Sequence, residues 1–286
     1  MSKETQEYLP DWYEEAPKPG SYRSIFKWGD PLGFKHPNAR LFKMLKEELA
    51  LENADFRERI DEGHETVRVS SGTPISSEQI SAFIGMVGEE NVQTDDYSRV
   101  RYSNGKTAEE AISLRQGDNG PVSSVVIHPR DKSDISRIVS YCNKESIPIY
   151  VYGGGSSVNL GFKPVKGGIT LVMQTHMNKI LSLNETNQMV TVQPGMMGPD
   201  YESMLNMAPE KLGTKRRFTG GHFPQSFEYS SVGGWVVTLG SGQQSTYYGD
   251  ACDLVISQEY ITPVGEFVTL AYPATATGPK VNDIMK

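Results

Sequence analysis

Two glycine-rich stretches carry the residues best suited to chemistry. In the first, Gly153, Gly154 and Gly155 run into Ser156, Ser157 and Val158. Three glycines leave main-chain N–H groups unshielded, free to take positive φ and to approach a diphosphate closely, while the two serines add hydroxyl donors. Such a nest holds oxyanions without a lysine, and no basic residue stands in this stretch. Taken alone, the same residues serve equally well as a plain tight turn. The second stretch runs from Thr219-Gly220-Gly221-His222 through Ser230-Ser231-Val232-Gly233-Gly234-Trp235 to Thr238-Leu239-Gly240-Ser241-Gly242. Small hydroxyl residues beside paired glycines again offer donors to one flat, polar ligand, and two such loops on one chain are harder to read as turns.

Neither stretch fits the commonest nucleotide signatures. Val158 stands where a third dinucleotide-fold glycine belongs, and there is no Gly-Lys-Ser/Thr of a phosphate-binding loop. His36, His64, His128, His176 and His222 show neither metal-ligand spacing nor a nucleophile partner, so no metal is expected; only His222, flanking the second stretch, is a candidate donor to a ligand. Cys142 and Cys252 cannot make a disulfide framework and are read as free thiols. A net charge of -7 argues against nucleic-acid binding; Lys211, Lys215, Arg216 and Arg217 are read as solvated surface charge. No apolar run approaches a bilayer span and no signal core is visible, so a cytoplasmic protein is expected.

The elements that must position these loops follow from periodicity. Residues 1–118 read as an arm and a mostly helical region. Pro10, Pro17, Pro19 and Pro31 lie among Trp12, Tyr13, Tyr22, Phe26 and Trp28, a mixture suited to an extended arm anchored by its rings. A helix begins near Asn38 with Leu41, Leu45 and Leu49 on one stripe. A second follows Ser76, with Gln79 completing a capping box and Gly88 as its stop; a third starts at Thr107 with Glu110 and ends at Gly117. From 119 to 286 strands dominate. Residues 122–127 and 147–152 are strands around a helix whose apolar face is Ile135, Ile138, Val139 and Cys142, a β-α-β unit that runs straight into Gly153. Further strands are expected at 169–173, in a hairpin of 180–183 with 189–192, and in a hairpin of 254–262 with 266–270.

In combination these motifs resemble the FAD-linked oxidases of the vanillyl-alcohol-oxidase (PCMH) type, and among them the alkylglycerone-phosphate synthases. The resemblance runs from about Arg99 to the C-terminus on residues 152–158, Gly221-His222 with Pro224, residues 230–236, Tyr248-Gly249 with Asp253-Leu254-Val255, and Thr262-Pro263. It implies an α+β fold: two subdomains clasping a non-covalent FAD, preceded by the mostly helical region. It further implies that Val151, Tyr152, Gly153, Gly154, Gly155, Ser156 and Ser157 form the loop holding the pyrophosphate, with Val158 also in the cofactor-binding set. Gln225, Ser226, Ser230, Ser231, Val232, Gly234, Thr238, Gly240, Ser241 and Ile261 would hold the flavin and the remainder of the cofactor.

There are departures from the family pattern. Gln225 stands where the synthases commonly carry Asp, Leu239 where they carry Arg, and no histidine lies in the glycine loop to attach a flavin covalently. The Gly-Ser-Glu-Gly-Thr-Leu-Gly segment of the family and its substrate cap do not appear before Lys286, so the catalytic residues for the substrate are expected outside this chain. The leading expectation is the FAD-binding portion of an oxidoreductase acting on a small hydroxylated or carboxylated substrate. The alternatives are an FAD-dependent alkyl transferase that exchanges an acyl group for a fatty alcohol, and a non-catalytic half of a split flavoenzyme. The expected partners are the C-terminal half or a second chain, a small-molecule substrate, and further copies of the chain in a homo-oligomer.

Overall fold

The structure is a computed structural model and describes residues 16–29, 39–56, 63–70, 72–272, 276 and 278. The described residues fall into two compact units, one from 1–68 with 106–120, the other from 69–105 with 121–286.

The first unit is built on short capped helices. Ser21 caps Tyr22–Phe26 by accepting from the Ser24 N–H at 3.4 Å. Thr107 and Glu110 form the predicted capping box of Ala108–Arg115, and Gly117 follows with φ +76°. Tyr22, Ile25 and Leu114 are buried, and the Arg115 guanidinium lies 5.3 Å from the centre of the Phe26 ring. The predicted stripe helix spans Ala39–Leu49, but Leu41, Met44 and Leu49 are all exposed and no residue of it is buried. Pro10, Trp12, Tyr13, Pro31, His36 and the cap residue Asn38 lie outside the described residues.

In the second unit the main sheet has the order β1-β2-β4-β3, with β1 Val92–Gln93, β2 Val125–Ile127, β3 Ile149–Tyr152 and β4 Ile169–Val172. β2 and β3 are parallel, as the predicted β-α-β unit requires, yet they do not touch, because β4 lies between them and pairs with both. Side chains alternate across this sheet with the period of two that strands impose. On one face Val125, Ile127, Ile169 and Leu171 pack with Phe83 and Val87 of helix Ser77–Val87 and with Ile138 and Cys142 of helix Lys132–Glu145. On the other face Val126, Val172 and Tyr152 pack with Tyr102 and Phe162. The three parallel strands end at Ile127, Tyr152 and Val172, and Gly153 begins where β3 stops.

Two hairpins complete the unit. β5 Ile180–Asn184 pairs with β6 Met189–Val192 as expected. The second is shorter than predicted: β7 Glu259–Thr262 pairs with β8 Gly265–Val268, while Ala251–Leu254 is a short helix whose entry is held by the Asp250 N–H donating to Asp253 Oδ2 at 2.9 Å. Lys132 bridges Glu259 and Glu266 and so pins this hairpin to helix Lys132–Glu145.

That helix starts on a fully buried carboxylate. Asp134 accepts from Arg130 Nε at 2.8 Å, from the Arg130 main-chain N–H at 3.0 Å and from Arg137, and the Arg130 donors hold its pKa down at about 2 against the burial that raises it. Because the folded value lies below the unfolded one, Asp134 stabilises the fold above about pH 4 and loses that contribution as pH falls toward about 2. Replacing Asp134 with Asn is expected to lower the melting temperature at pH 7 and to shrink the drop between pH 4 and pH 2. Thermal melts across that range, in which the variant tracks the wild type throughout, would contradict this.

Candidate functional site

The two glycine stretches meet, and they meet too closely for side chains. A Cβ on Gly153 would sit 2.2 Å from Ser231 Oγ, and one on Gly154 would sit 2.3 Å from the Tyr229 carbonyl oxygen and 2.7 Å from Ser230 Cα. Gly155 has φ +72°, and its Cβ would fall 1.8 Å from Tyr152 Oη. Glycine is therefore required here for loop-on-loop packing as well as for turning.

What this packing leaves is a set of main-chain donors. Among the described residues, the N–H groups of residues 153–158 find no main-chain or side-chain acceptor, and the same holds for Ser230 and Ser231. Gly155, Ser230 and Ser231 are buried, Gly153, Gly154, Ser156 and Ser157 half-buried and Val158 exposed. Buried N–H groups are nearly always paired in native proteins, so unpaired ones on two loops in contact mark a place built to receive acceptors. The backbone around them is well fixed. The Gly198 N–H donates to the Ser230 carbonyl at 3.1 Å and the Val232 N–H to the Met196 carbonyl at 2.9 Å.

Side chains of the second loop help to hold it. Ser230 Oγ accepts from Trp235 Nε1 at 2.6 Å, Ser231 Oγ caps helix Val232–Val237 by accepting from the Gly234 N–H at 3.3 Å, and Thr238 Oγ1 donates to the Gly234 carbonyl at 2.7 Å. The turn at Gly240 closes through its N–H on the Trp235 carbonyl at 2.8 Å. Leu239, just before it, has φ +53°, a left-handed conformation that costs a non-glycine residue energy and is concentrated at functional sites. His222 is buried with its ring 5.2 Å from that of Trp235, and Nε2 has no hydrogen-bond partner. Burial lowers its pKa and so favours the neutral ring, an effect partly offset by Asp250, which favours the charged one.

Aromatic rings stand behind the first loop. Tyr152 contacts Tyr102 edge-on at 5.0 Å and Phe162 at 5.3 Å, and Tyr102 in turn meets His128 at 5.5 Å. His128 is tied to Thr175 at 2.7 Å and Gln93 at 3.0 Å and is pushed by burial to a pKa of about 4, so it is a neutral structural residue. Cys142 is a buried thiol pushed up to about 12, which leaves it unreactive.

The structure thus brings Gly153 and Gly154, the start of the 153–158 loop, against Ser230 and Ser231, and carries Val232, Gly234, Thr238, Gly240 and Ser241 on the adjoining short helix and turn. Gln225 and Ser226 lie on the same loop, Gln225 exposed. Val151 is exposed on the edge strand β3. Ile261 sits opposite Glu266 on the β7–β8 hairpin, whose ties run to helix Lys132–Glu145, and none of them draws it to the glycine loops. The sequence reading takes 225–231 as one flavin-lining stretch but does not foresee that the Tyr229 carbonyl closes on Gly154, nor that the Tyr102 ring stands behind Tyr152; no local pattern announces either. The basic run is exposed or partly exposed, and its arginines are paired, Arg216 with Glu185 at 3.8 Å and Arg217 with Glu210. Among the described residues no cluster of His, Cys, Asp and Glu could hold a metal, and no helix is long and apolar enough to cross a membrane.

Comparison with known proteins adds to this geometry. A family described as "FAD binding domain" matches residues 123–271, just over half of the chain. An alkyldihydroxyacetonephosphate synthase of Dictyostelium discoideum is 30% identical over 179 residues, 62% of this chain and 28% of that protein. Glycolate oxidase subunit GlcD of Bacillus subtilis is 31% identical over 189 residues, 65% of this chain and 36% of its own length. A solved alkyldihydroxyacetonephosphate synthase superposes with a TM-score of 0.68 at 26% identity, over 77% of this chain and 38% of that one. Substrate-bound p-cresol methylhydroxylase shares the fold, with a TM-score of 0.56 at 18% identity over 74% of this chain and 41% of its own. The chain therefore spans about a third of the length of the curated relatives it matches.

The Gly154→Ala variant separates loop packing from generic glycine flexibility. Its methyl group would meet main-chain atoms that cannot swing aside, so we expect a stability loss of about 1–3 kcal/mol together with weakened FAD binding. Gly72→Ala, where a Cβ meets open space, is the control. Thermal melts and FAD titrations showing the two variants alike would refute the close approach.

Proposed function

We propose, from the premise that this chain belongs to the FAD binding domain family, that it is the cofactor-holding portion of an FAD-dependent oxidoreductase acting on a small hydroxylated or carboxylated substrate. The observation that carries this reading is the set of eight unpaired N–H groups on two loops in contact. On this reading residues 153–158 grip the diphosphate through their main-chain donors. Ser230 and Ser231 act through their N–H groups and through their O–H protons, since both hydroxyl oxygens serve the loop only as acceptors. Gln225, Ser226, Val232, Gly234, Thr238, Gly240 and Ser241 line the flavin and ribityl chain, and the unpaired Nε2 of His222 is a further donor beneath the Gly240 turn. Val151, Tyr152 and Ile261 complete the set, Ile261 on the family resemblance alone. When bound, FAD supplies the hydride acceptor; the chain's own residues bind it, orient it and keep water from it.

The cofactor is non-covalent on this reading. Residues 119–286 form its domain, with residues 1–118 as a preceding arm and helical region. The C-terminal half of the protein or a second chain completes the site, copies of the chain associate, and the compartment is cytoplasmic. A second reading, the alkyl transferase, is favoured by the TM-score of 0.68 with a synthase and disfavoured by Gln225 and Leu239.

Purification with the polypeptide that follows it is expected to give a yellow protein whose FAD is released by acid precipitation and whose flavin band is bleached anaerobically by a hydroxy acid. A colourless preparation that takes up no added FAD would end the assignment. A yellow one that ignores every hydroxy acid but exchanges an acyl for an alkyl group would move it to the second reading.

A further inference from the structure

Two arginines near the end of one helix behave differently. In helix Asp96–Arg101, Arg99 is buried, donates from Nε to the Ser123 carbonyl at 2.9 Å and lies 3.7 Å from Asp96. It is a structural residue. Arg101 is exposed, and its guanidinium carbon rests 5.3 Å from the centre of the Tyr102 ring. The Tyr97 hydroxyl takes one of its hydrogen bonds, and among the described residues no carboxylate lies within ion-pair distance of it. An arginine presents five donors in a rigid fork, so most of this one's capacity is unused.

Its place in the fold gives that capacity a direction. Arg101 acts electrostatically on Tyr102, Tyr152 and His128, the rings gathered at the ends of β2 and β3. Tyr102 touches Tyr152 at 5.0 Å, and Tyr152 Oη lies directly under Gly155. Two ring contacts therefore connect the guanidinium to the first glycine loop. The segment that carries it is anchored on both sides: Thr170 of β4 donates to the Tyr102 carbonyl at 3.3 Å, and Asn104 accepts from Lys163 of the loop between β3 and β4. That lysine is engaged by this bond, whereas Arg101 lies over the Tyr102 ring and, among the described residues, has no carboxylate partner.

Main-chain donors carry only partial charge, while a diphosphate carries formal charge that the acidic chain as a whole repels. We propose that Arg101 is the cationic member of the phosphate site, its fork donating to the diphosphate oxygens of the cofactor that residues 153–158 hold by their N–H groups. This rests on the FAD reading above, and the experiment distinguishes the failure of either.

FAD and riboflavin are titrated into the full chain by flavin fluorescence, at low and high salt, for wild type, R101Q and R101K, with a thermal melt of each. R101Q is expected to bind FAD roughly tenfold more weakly, about 1.4 kcal/mol, to bind riboflavin as wild type does because that molecule has no phosphate, and to show a flatter salt dependence. R101K, which keeps the charge without the fork, should fall between. Wild-type FAD affinity and salt slope in R101Q overturn the proposal, as does an equal loss for riboflavin, which would make Arg101 a packing residue. Should R101Q fail to fold, folded R101K with unchanged FAD affinity overturns it as well. A wild-type chain that binds no FAD removes the underlying reading instead.

Discussion

The contact of Gly153 and Gly154 with Tyr229, Ser230 and Ser231 is the constraint on which the site depends. Two main chains come together at distances where a single methyl group would collide with a carbonyl oxygen or a Cα. Such an approach has a direct consequence for hydrogen bonding. A loop backed closely by another loop, with no strand partner and no helix of its own, cannot pair its N–H groups with either, so residues 153–158 keep donors that ordinary packing would have satisfied. The tight-turn reading and the oxyanion-nest reading of these glycines are thus two sides of one geometry: the α-carbon faces are filled by protein, and the amides are left over.

Holding unpaired donors in place requires rigid supports, and the sheet supplies them. β3 delivers Gly153 at its C-terminal end, and β4, between β2 and β3, fixes β3 by parallel pairing along its whole length, from Ile149 with Ile169 to Tyr152 with Val172. On the second loop the cost of order is met by side chains. Ser230 is locked by Trp235, Ser231 by Gly234, and Trp235 itself packs against His222 and stacks 6.0 Å from Phe227. The hydroxyls that sequence reasoning offers to the cofactor also hold the amides beside them in place.

This division explains what the residues alone disclose. Capping boxes at Ser76 with Gln79 and Thr107 with Glu110, the stop at Gly88, and the buried face of Ile138, Val139 and Cys142 are local, set within one or two helical turns, and they are legible. Helix Gly198–Asn206 is not: Met197 offers it no capping side chain and it begins on glycine and proline. The insertion of β4 between β2 and β3 is equally hidden, because pairing partners far apart in sequence leave no periodic trace. In the site, both loops are legible from composition, but their mutual contact, the role of the Tyr229 carbonyl and the orphaned Nε2 of His222 arise only when the chain folds back on itself.

The same reasoning bears on charge. A chain with a net charge of -7 repels a dianionic ligand at long range, so whatever attracts one here must act within a few ångströms, where screening by salt is incomplete and the local dielectric is low. Amides do this without the desolvation penalty of a buried lysine, which accounts for a glycine loop that contains no basic residue. They also act only along their N–H directions, so the grip has geometry but little reach. A guanidinium 5.3 Å from the centre of the Tyr102 ring at the rim adds reach without entering the loop, and that ring also packs against the ring beneath Gly155. Placing full charge at the edge and partial charge at the centre lets the centre remain glycine, which the loop contact demands.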